Sequence, residues 1–274
     1  MEYSTFIIKH PKMRELDPDN IPTELKISTM TLTCKLPVIF DVFNIAKELQ
    51  LSTDFIHCVK CGNSSEVARS LLPLKKKKVK KTKKPSLGSA KNFYNQATLV
   101  IYSKQEGDDN YIKLNIKLFK NGAIQITGCK KISYAMWALY RLFKIFRYRE
   151  HRISEETVVI SSYAHPKCFL NILGLQNFRI AMINSNFKIS FKIDREKLFK
   201  KMTLEKYDCS YDPARHAGVH IRYKVEGAIK PVSLFVFDAG SIIITGVRTY
   251  KNLMEVYKFI NIYLLENYAY VAQS

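Results

Sequence analysis

Residues 119–130, FKNGAIQITGCK, recur at 237–248 as FDAGSIIITGVR, and six of the twelve positions carry the same residue in the same order. Each segment has the pattern of a strand end, a tight turn at glycine and a returning strand, with a helix after it. Self-similarity within one chain indicates an internal repeat. The sequence therefore predicts two copies of one folding unit. Such a pseudo-repeat suits a partner with near two-fold symmetry, such as duplex DNA.

The chain is strongly basic. It contains 44 Lys and Arg against 24 Asp and Glu, which gives a formal charge of +20 and a pI near 9.6. A positive surface attracts phosphate or an anionic membrane, and nucleic acid is the favoured partner. The densest run is 75–84, KKKKVKKTKK, with eight lysines in ten positions. It predicts a basic loop, for which three interpretations stay open: a solvated insertion, a phosphate contact or a nuclear-import signal.

The length and the hydrophobic content of the chain limit the size of its core and the classes of protein that it can belong to. The 274 residues, 47% of them hydrophobic, can bury one large core or two fused smaller ones. No apolar run is long enough to span a bilayer, and the first residues lack the apolar stretch of a secretory signal. We therefore expect a soluble intracellular protein with no membrane partner.

The cysteines do not predict a metal site or a disulfide framework. All six are scattered, mostly within apolar stretches, which is typical of reduced thiols. Cys58 and Cys61 form a CxxC beside His57, which is half of a zinc ligand set. No second CxxC or His pair completes the set, so we expect ordinary thiols, no metal and no cofactor.

The first copy begins with a strand at 25–36, where β-branched residues alternate loosely. Asp41 is placed to cap a helix that runs to Leu49. Further strands are predicted at 97–103 and 111–119. In the latter, apolar and polar positions alternate, with Ile112, Leu114, Ile116 and Leu118 on one face and Lys113, Asn115, Lys117 and Phe119 on the other.

The end of the first copy is a hairpin and a helix. Asn121-Gly122 predicts a two-residue turn into a strand at 123–127. A helix is predicted from Ser133, because Met136, Leu139, Tyr140 and Phe143 follow at helical spacing.

The second copy repeats this order. A strand is predicted at 178–191 and a helix after Asp194, with Leu198, Phe199 and Met202 on its apolar face. Three strands follow, at 218–223, 231–237 and 241–245. Thr249 is placed to cap a closing helix, whose apolar side carries Leu253, Val256, Tyr257, Ile260 and Leu264.

These elements predict an α+β fold in which two pseudo-symmetric repeats form one curved antiparallel sheet with helices on one face. The other face must then meet solvent or a ligand. In the second copy it carries Phe235, Phe237, Ile243 and Thr245, an apolar patch that a monomer seldom exposes without use. The alternative to a binding face is that a loop or a partner covers Phe119, Phe235 and Phe237, which would then be core residues.

The chain resembles the TATA-box-binding protein family, whose fold is saddle-shaped with helices on the convex face. The resemblance is carried by the doubled hairpin with its ITG ending, by SYDPARHAGVHIRY at 210–223, and by ISTMTLTCKL at 27–36 followed by a helix. It covers most of 25–147 and 178–268. Its long insertions are typical of a divergent member encoded by a large DNA virus, which would place the protein in the nucleus, or in a cytoplasmic viral factory or virion.

The resemblance also implies a domain organisation. It comprises an N-terminal extension (1–24), a first repeat (25–147) with a Lys-rich insertion at about 53–93, an inter-repeat insertion (148–177) and a second repeat (178–274).

The resemblance implies that DNA binds in the minor groove and is bent by aromatic wedges. Family members push pairs of Phe side chains between base steps, which unstacks the bases and bends the duplex by roughly 20 to 90°. Phe119 and Phe237 occupy the matched hairpin positions of such wedges. Their predicted partners are His216, where the family has Phe, and Phe93, with Phe55 as a second candidate. Because His is smaller and more polar, we expect a blunter wedge in the second copy.

The resemblance also assigns the groove-reading positions. The family places an Asn in the first strand of each repeat, and here the corresponding residues are Leu25 and Met182, with Asn184 as a substitute on one side. The remaining predicted DNA-binding residues are Ile27, Lys117, Gln125, Thr127, Phe235, Ile243 and Thr245. Loss of the paired Asn should relax specificity, since each good base contact is worth about 1 to 3 kcal/mol. We expect AT preference to arise through DNA deformability.

Partners follow from the same resemblance: AT-rich promoter DNA, a IIB-like transcription factor and the RNA polymerase machinery. In the family the IIB-type factor binds the acidic second-copy turn. Here Asp212 keeps that charge, whereas Ala214 and Arg215 replace acidic and apolar residues. We therefore expect a cognate factor of altered charge.

No catalytic set is recognisable in the sequence. His216 and His220 have no nearby nucleophile or carboxylate arranged for catalysis, and Asp208, Asp212 and Asp238 are too dispersed for a two-metal nuclease. We expect no enzyme activity and no small-molecule substrate. Besides a DNA-bending initiation factor, two alternatives stay open: a protein-interaction scaffold with weak or no specific DNA binding, and a nucleic-acid enzyme with a saddle-like accessory domain.

Overall fold

The computed structural model describes residues 21–61, 68–72, 95–103, 111–152 and 158–273. Phe93 and the Lys-rich run 75–84 lie outside these residues, as do residues 1–20. The described residues form two compact units. Unit 1 comprises those within 32–179, and unit 2 comprises 21–31 and 180–273.

The main sheet of unit 1 has the strand order β4-β3-β5-β6-β7-β1. The pairings from β4 through β7 are all antiparallel. Its strands are β1 (Lys26–Lys35, of which 32–35 belong to unit 1), β3 (Ile56–Cys61), β4 (Ala68–Ser70), β5 (Gln96–Ser103), β6 (Ile112–Phe119) and β7 (Ala123–Cys129). Its helices are α1 (Val42–Glu48) and α2 (Ile132–Phe146). Strands β3 and β4 are not predicted by the sequence and lie within the segment expected to be the Lys-rich insertion (about 53–93).

The segment after α2 adds small elements to unit 1. Two antiparallel pairs form, one between β8 (Arg149–Arg152) and β9 (Val158–Ser161), the other between β2 (Ile39–Phe40) and β10 (Ala164–His165). Two single-turn 3₁₀ helices follow, Lys167–Phe169 and Ile172–Gly174. The segment predicted as an inter-repeat insertion is thus structured over most of its length.

Unit 2 repeats the plan of unit 1, with the strand order β12-β13-β14-β15-β11. Its strands are β11 (Gln176–Lys188, of which 180–188 belong to unit 2), β12 (Cys209–Ser210), β13 (Val219–Tyr223), β14 (Val232–Val236) and β15 (Ser241–Val247). Its helices are α3 (Arg195–Leu204), α4 (Tyr250–Glu266) and α5 (Tyr268–Val271). The neighbouring strands in this order pair antiparallel.

Each sheet has one buried and one open face because its strands alternate. In β6, Leu114, Ile116 and Leu118 are fully buried, whereas Lys117 and Phe119 are only half-buried. The buried side is where α2 packs, against β5 and β7. Burying each such side chain stabilises the fold by about 1.5–3 kcal/mol. In unit 2, Leu234, Val236, Ile242 and Ile244 are buried in the same way, and α4 packs against β15.

The predicted helix caps are confirmed. Asp41 Oδ1 accepts a hydrogen bond from Asn44 N at 3.2 Å, and Asp194 Oδ1 accepts from Lys197 N at 3.0 Å. Thr249 Oγ1 accepts from Asn252 N at 3.2 Å. Each bond satisfies a backbone donor that the first helical turn leaves free. The helix predicted from Ser133 begins one residue earlier, at Ile132, and has no side-chain cap.

The hairpin turns differ from the predicted two-residue type. Three residues, 120–122, separate β6 from β7, and Gly122 N donates to Phe119 O at 2.9 Å. Gly240 N donates to Phe237 O at 3.0 Å in the matching turn. Both glycines have positive φ, +84° and +78°. This is the geometry of a type I turn closed by a left-handed glycine, so glycine is needed at the last position of each turn.

The fold class is α+β of the predicted repeated type, with an antiparallel sheet and helices on one of its faces in each unit. Among the described helices, none has the length and apolar character needed to cross a membrane.

Candidate nucleic-acid interface

The open face of unit 2 is defined by two rows of side chains across its strands. One row pairs His220 with Phe235 and Phe235 with Ile243. The other row pairs Ser233 with Thr245 and Thr245 with Asn184. The predicted residues Phe235, Ile243, Thr245 and Asn184 are therefore neighbours on one surface.

Aromatic rings gather at one end of this face. Phe235 stacks with His216 at 4.8 Å between ring centroids and with His220 at 4.6 Å. The Phe237 ring lies 6.4 Å from the His216 ring. Gly218 lets Phe237 approach, since a Cβ there would lie 3.1 Å from the Phe237 ring. The predicted pair Phe237 and His216 is thus brought together, and Phe235 is stacked within the same cluster.

The surroundings of His220 in that cluster favour the neutral form of its ring. Its Nε2 lies 3.0 Å from Ser233 Oγ. Burial, with the positive charge of Arg222 as the next cause, lowers the pKa of His220 below its ordinary value. A neutral imidazole stacks on Phe235 without the cost of desolvating a charge.

Arg195 joins the loop that carries His216 to the hairpin that carries Phe237. Its Nη1 donates to Ala217 O, and its Nη2 lies 4.0 Å from Asp238 Oδ2. The loop is also closed on itself, because His216 N donates to Asp212 O at 2.8 Å. No sequence signal predicts this role of Arg195, because its partners lie more than 20 positions along the chain.

Asn184 is oriented by Thr245. The Thr245 hydroxyl donates to Asn184 Oδ1 at 2.5 Å, and Met182 Sδ lies 4.0 Å from the same hydroxyl. Because Oδ1 is engaged, the Nδ2 donors of Asn184 remain for a ligand. An amide that presents donors matches the acceptors of A·T pairs in the minor groove.

The predicted role of Leu25 is wrong. Leu25 is only 4% exposed and lies before β1, where its backbone N–H donates to Pro22 O at 2.9 Å. A side chain buried in the core of unit 2 cannot contact a groove. Ile27, also predicted, lies in β1 and is half-buried.

The open face of unit 1 is more polar. Lys117 lies opposite Gln125 and Thr98, and Asn115 lies opposite Thr127. Phe119 ends β6 and is half-buried on the same face. The predicted residues Lys117, Phe119, Gln125 and Thr127 therefore share one surface, as Phe237, Ile243 and Thr245 do in unit 2.

Phe55 does not belong to this surface. It is 1% exposed, and the Arg141 guanidinium lies 4.2 Å from its ring centroid. Phe55 precedes β3 and packs into the core, so its prediction as a wedge candidate is wrong. Phe93, the first candidate, lies outside the described residues.

The cysteine pair lies in a strand, which separates its thiols. Cys58 and Cys61 are three positions apart in β3, so their side chains point to opposite faces. Cys61 is buried, and burial raises the pKa of its thiol. Within the described ranges no group of three or more His, Cys, Asp or Glu side chains could hold a metal ion.

Unit 1 also has a hollow beside Phe119 that the sequence does not predict. The hollow has a volume of about 560 Å³, and its lining includes Thr33, Lys35, Gln125, Phe178 and Arg179. The alternation of β1 places Lys35 as an exposed residue. No sequence signal places Phe178 and Arg179 beside it, because they are distant along the chain.

The chain is similar to known proteins of one kind. The family described as "Transcription factor TFIID (or TATA-binding protein, TBP)" matches residues 177–266. A "TATA-box-binding protein-like" protein of Acanthamoeba polyphaga mimivirus is 38% identical over 253 residues, which cover 86% of this chain and 64% of that protein. Among solved structures, Methanococcus jannaschii TBP aligns with a TM-score of 0.49 and 15% identity, covering 87% of this chain and 96% of that chain.

Residues 177–266 therefore form a domain of the TATA-binding protein family. Over most of its length the chain is also similar to a viral TBP-like protein. The matched region spans just under two thirds, 64%, of the mimivirus relative. That relative supports the prediction that a large DNA virus encodes the protein.

Proposed function

We propose that this protein is a transcription initiation factor that binds promoter DNA through the minor groove and bends it. The observation that carries the proposal is the matched placement of Phe119 and Phe237. Phe119 is the last residue of β6 and Phe237 directly follows β14, and each precedes a turn closed by a left-handed glycine. A wedge position in each of the two repeats suits a protein that inserts two rings into one duplex.

In this proposal DNA bends because stacking between neighbouring bases is replaced by stacking of bases on the inserted Phe rings. Inserting an apolar ring between base pairs costs a few kcal/mol of unstacking per step, which a bent duplex repays by contacting more protein surface. In unit 2 the Phe237 wedge has the smaller and more polar His216 as its neighbour. The second-unit wedge is therefore the blunter one.

Sequence preference is relaxed or altered in this proposal. Met182 and the buried Leu25 supply no amide at the first-strand positions, while Asn184 offers amide donors in unit 2. A·T and G·C pairs differ in the minor groove mainly by the guanine amino group. A single oriented amide, together with deformability, then favours AT-rich DNA without a strict code.

The test is binding and bending of AT-rich and GC-rich duplexes. We expect Phe119→Ala and Phe237→Ala each to weaken binding about ten- to hundredfold, since stacking is worth about 1–3 kcal/mol per base, and to reduce the bend angle measured by energy transfer between labelled duplex ends. The control is Phe43→Ala, because Phe43 is 53% exposed on α1. Failure of the wild type to bind duplex DNA, or an unchanged bend in both wedge variants, would refute the proposal.

The proposal includes a IIB-like factor and RNA polymerase machinery as partners. Asp212 is engaged by Arg215, with 3.3 Å between Arg215 Nε and Asp212 Oδ2. This pairing lowers the negative potential of the turn, which supports a cognate factor of altered charge. Adding purified IIB-type factors to the same protein–DNA complexes tests this part, and tight binding of an ordinary eukaryotic factor would contradict it.

A protein-interaction scaffold is the second candidate. It is favoured by the burial of Leu25 and by exposed apolar side chains such as Ile39 in β2 and Phe43 on α1. The salt dependence of binding separates the two functions, because phosphate contacts release counterions and weaken steeply as salt rises. Tight, salt-insensitive protein binding with no DNA binding would favour the scaffold.

A further inference from the structure

The hollow beside Phe119 has the chemistry of an anion-binding site. Two cationic side chains, Lys35 and Arg179, and two neutral amides, Gln125 and Asn177, line it together with the rings of Phe119 and Phe178. None of the described lining residues is Asp or Glu. At about 560 Å³ the hollow is within the range of ligand sites.

The two cations are exposed and available. Lys35 and Arg179 are both on the surface, and neither forms an ion pair with a carboxylate in the part of the chain that the structure describes. Arg179 Nε donates to Thr33 Oγ1 at 3.2 Å. That bond orients the guanidinium and leaves its Nη donors, which match phosphate oxygens well.

Cys34 also lines the hollow, and its thiol adds no negative charge. Cys34 is 4% exposed, and burial raises the pKa of its thiol to about 12. The thiol stays protonated at neutral pH, so the hollow keeps a net positive charge.

The wedge in unit 2 has different surroundings. The residue after Phe119 is Lys120, whereas the residue after Phe237 is Asp238. Asp238 lies within 4.0 Å of Arg195, which is also bonded to the neighbouring loop at Ala217. Arg195 is thus engaged within unit 2, whereas Lys35 and Arg179 form no ion pair with a carboxylate among the described residues.

We propose that Lys35 and Arg179 bind backbone phosphates of the DNA strand that passes beside the Phe119 wedge. This inference rests on the proposed function. A ring that enters the minor groove has a sugar–phosphate strand on each side of it, because the groove is only about 6 Å wide. Long cationic side chains beside the ring therefore meet that backbone. These contacts anchor the first-unit wedge on the duplex.

The salt dependence of duplex binding tests the proposal. We expect the double variant Lys35→Gln/Arg179→Gln to lower the slope of log Kd against log salt concentration by about two, since each phosphate contact contributes about one. The matched control is Lys47→Gln/Lys144→Gln, which removes the same charge from exposed positions on α1 and α2. The control should leave the slope nearly unchanged.

Equal slopes in the two double variants would overturn the inference, because general charge and not a local site would then explain binding. In that case wild-type binding and bending would still stand, so the proposed function would survive. Absence of wild-type binding would remove both. Thermal unfolding of both double variants checks that the slopes are compared between folded proteins.

Discussion

At the residue scale, two glycines decide where the candidate wedges lie. Gly122 and Gly240 adopt left-handed φ values of +84° and +78°, which cost other residues about 1–2 kcal/mol. Both also lie against backbone. A Cβ at Gly122 would collide with Leu36 O, and one at Gly240 would lie 2.5 Å from Phe191 O. The two turns that follow Phe119 and Phe237 therefore pack closely against neighbouring backbone.

We expect Gly122→Ala and Gly240→Ala each to lower the free energy of unfolding by about 2–4 kcal/mol, because strain and a backbone collision add. Gly227→Ala is the matched control, since Gly227 has φ +70° but nothing within 4 Å of the position that an alanine methyl would take. It should lose only about 1 kcal/mol. Chemical denaturation of the three variants measures the differences. If all three variants lost the same free energy of unfolding, close packing of the two turns would not contribute to stability.

At the element scale, the segment after α2 is fastened to α1 by a buried ion pair. Arg149, the first residue of β8, is 8% exposed, and its Nε donates to Glu48 Oε2 at 2.7 Å. Asp41 Oδ2 lies 3.8 Å from Arg149 Nη1. The bond to Glu48 raises the pKa of Arg149. A buried guanidinium needs such partners, because an unpaired charge in the core is costly.

We expect Glu48→Ala to destabilise the protein by roughly 2–4 kcal/mol. This is less than the about 3–5 kcal/mol typical of breaking a fully buried pair, because Glu48 is partly exposed and Asp41 remains nearby. Asp54→Ala breaks the exposed pair with Arg141, whose atoms lie 2.9 Å apart, and should cost less than about 1 kcal/mol. Thermal unfolding compares the two variants. Equal losses would mean that burial of Arg149 is energetically unimportant.

At the scale of the whole molecule, the formal charge of +20 sets the range and strength of attraction to DNA. Eight of these charges lie in residues 75–84, outside the described residues. The proposed wedges and groove-reading residues lie on the open faces of the two units. General attraction and shape-dependent bending therefore reside in different parts of the chain.

Deletion of residues 75–84 leaves a charge of +12, because the segment holds eight lysines. We expect this variant to bind AT-rich and GC-rich duplexes more weakly by the same factor, with a smaller salt slope and an unchanged bend angle. Titrations at several salt concentrations, with energy transfer for the bend, measure these quantities. A sequence-dependent loss or a smaller bend would place the segment within the specific site.

The sequence by itself determined the repeated α+β plan, the helix caps at Asp41, Asp194 and Thr249, and the matched positions of Phe119 and Phe237. These features depend on local periodicity, capping and turn chemistry, which a short stretch of chain expresses alone. Only the tertiary structure decided that Leu25 and Phe55 are buried, that Arg195 joins two loops, and that Lys35 and Arg179 share a hollow with Phe119. Their surroundings come from strands distant along the chain, and the register and packing of those strands bring the residues together.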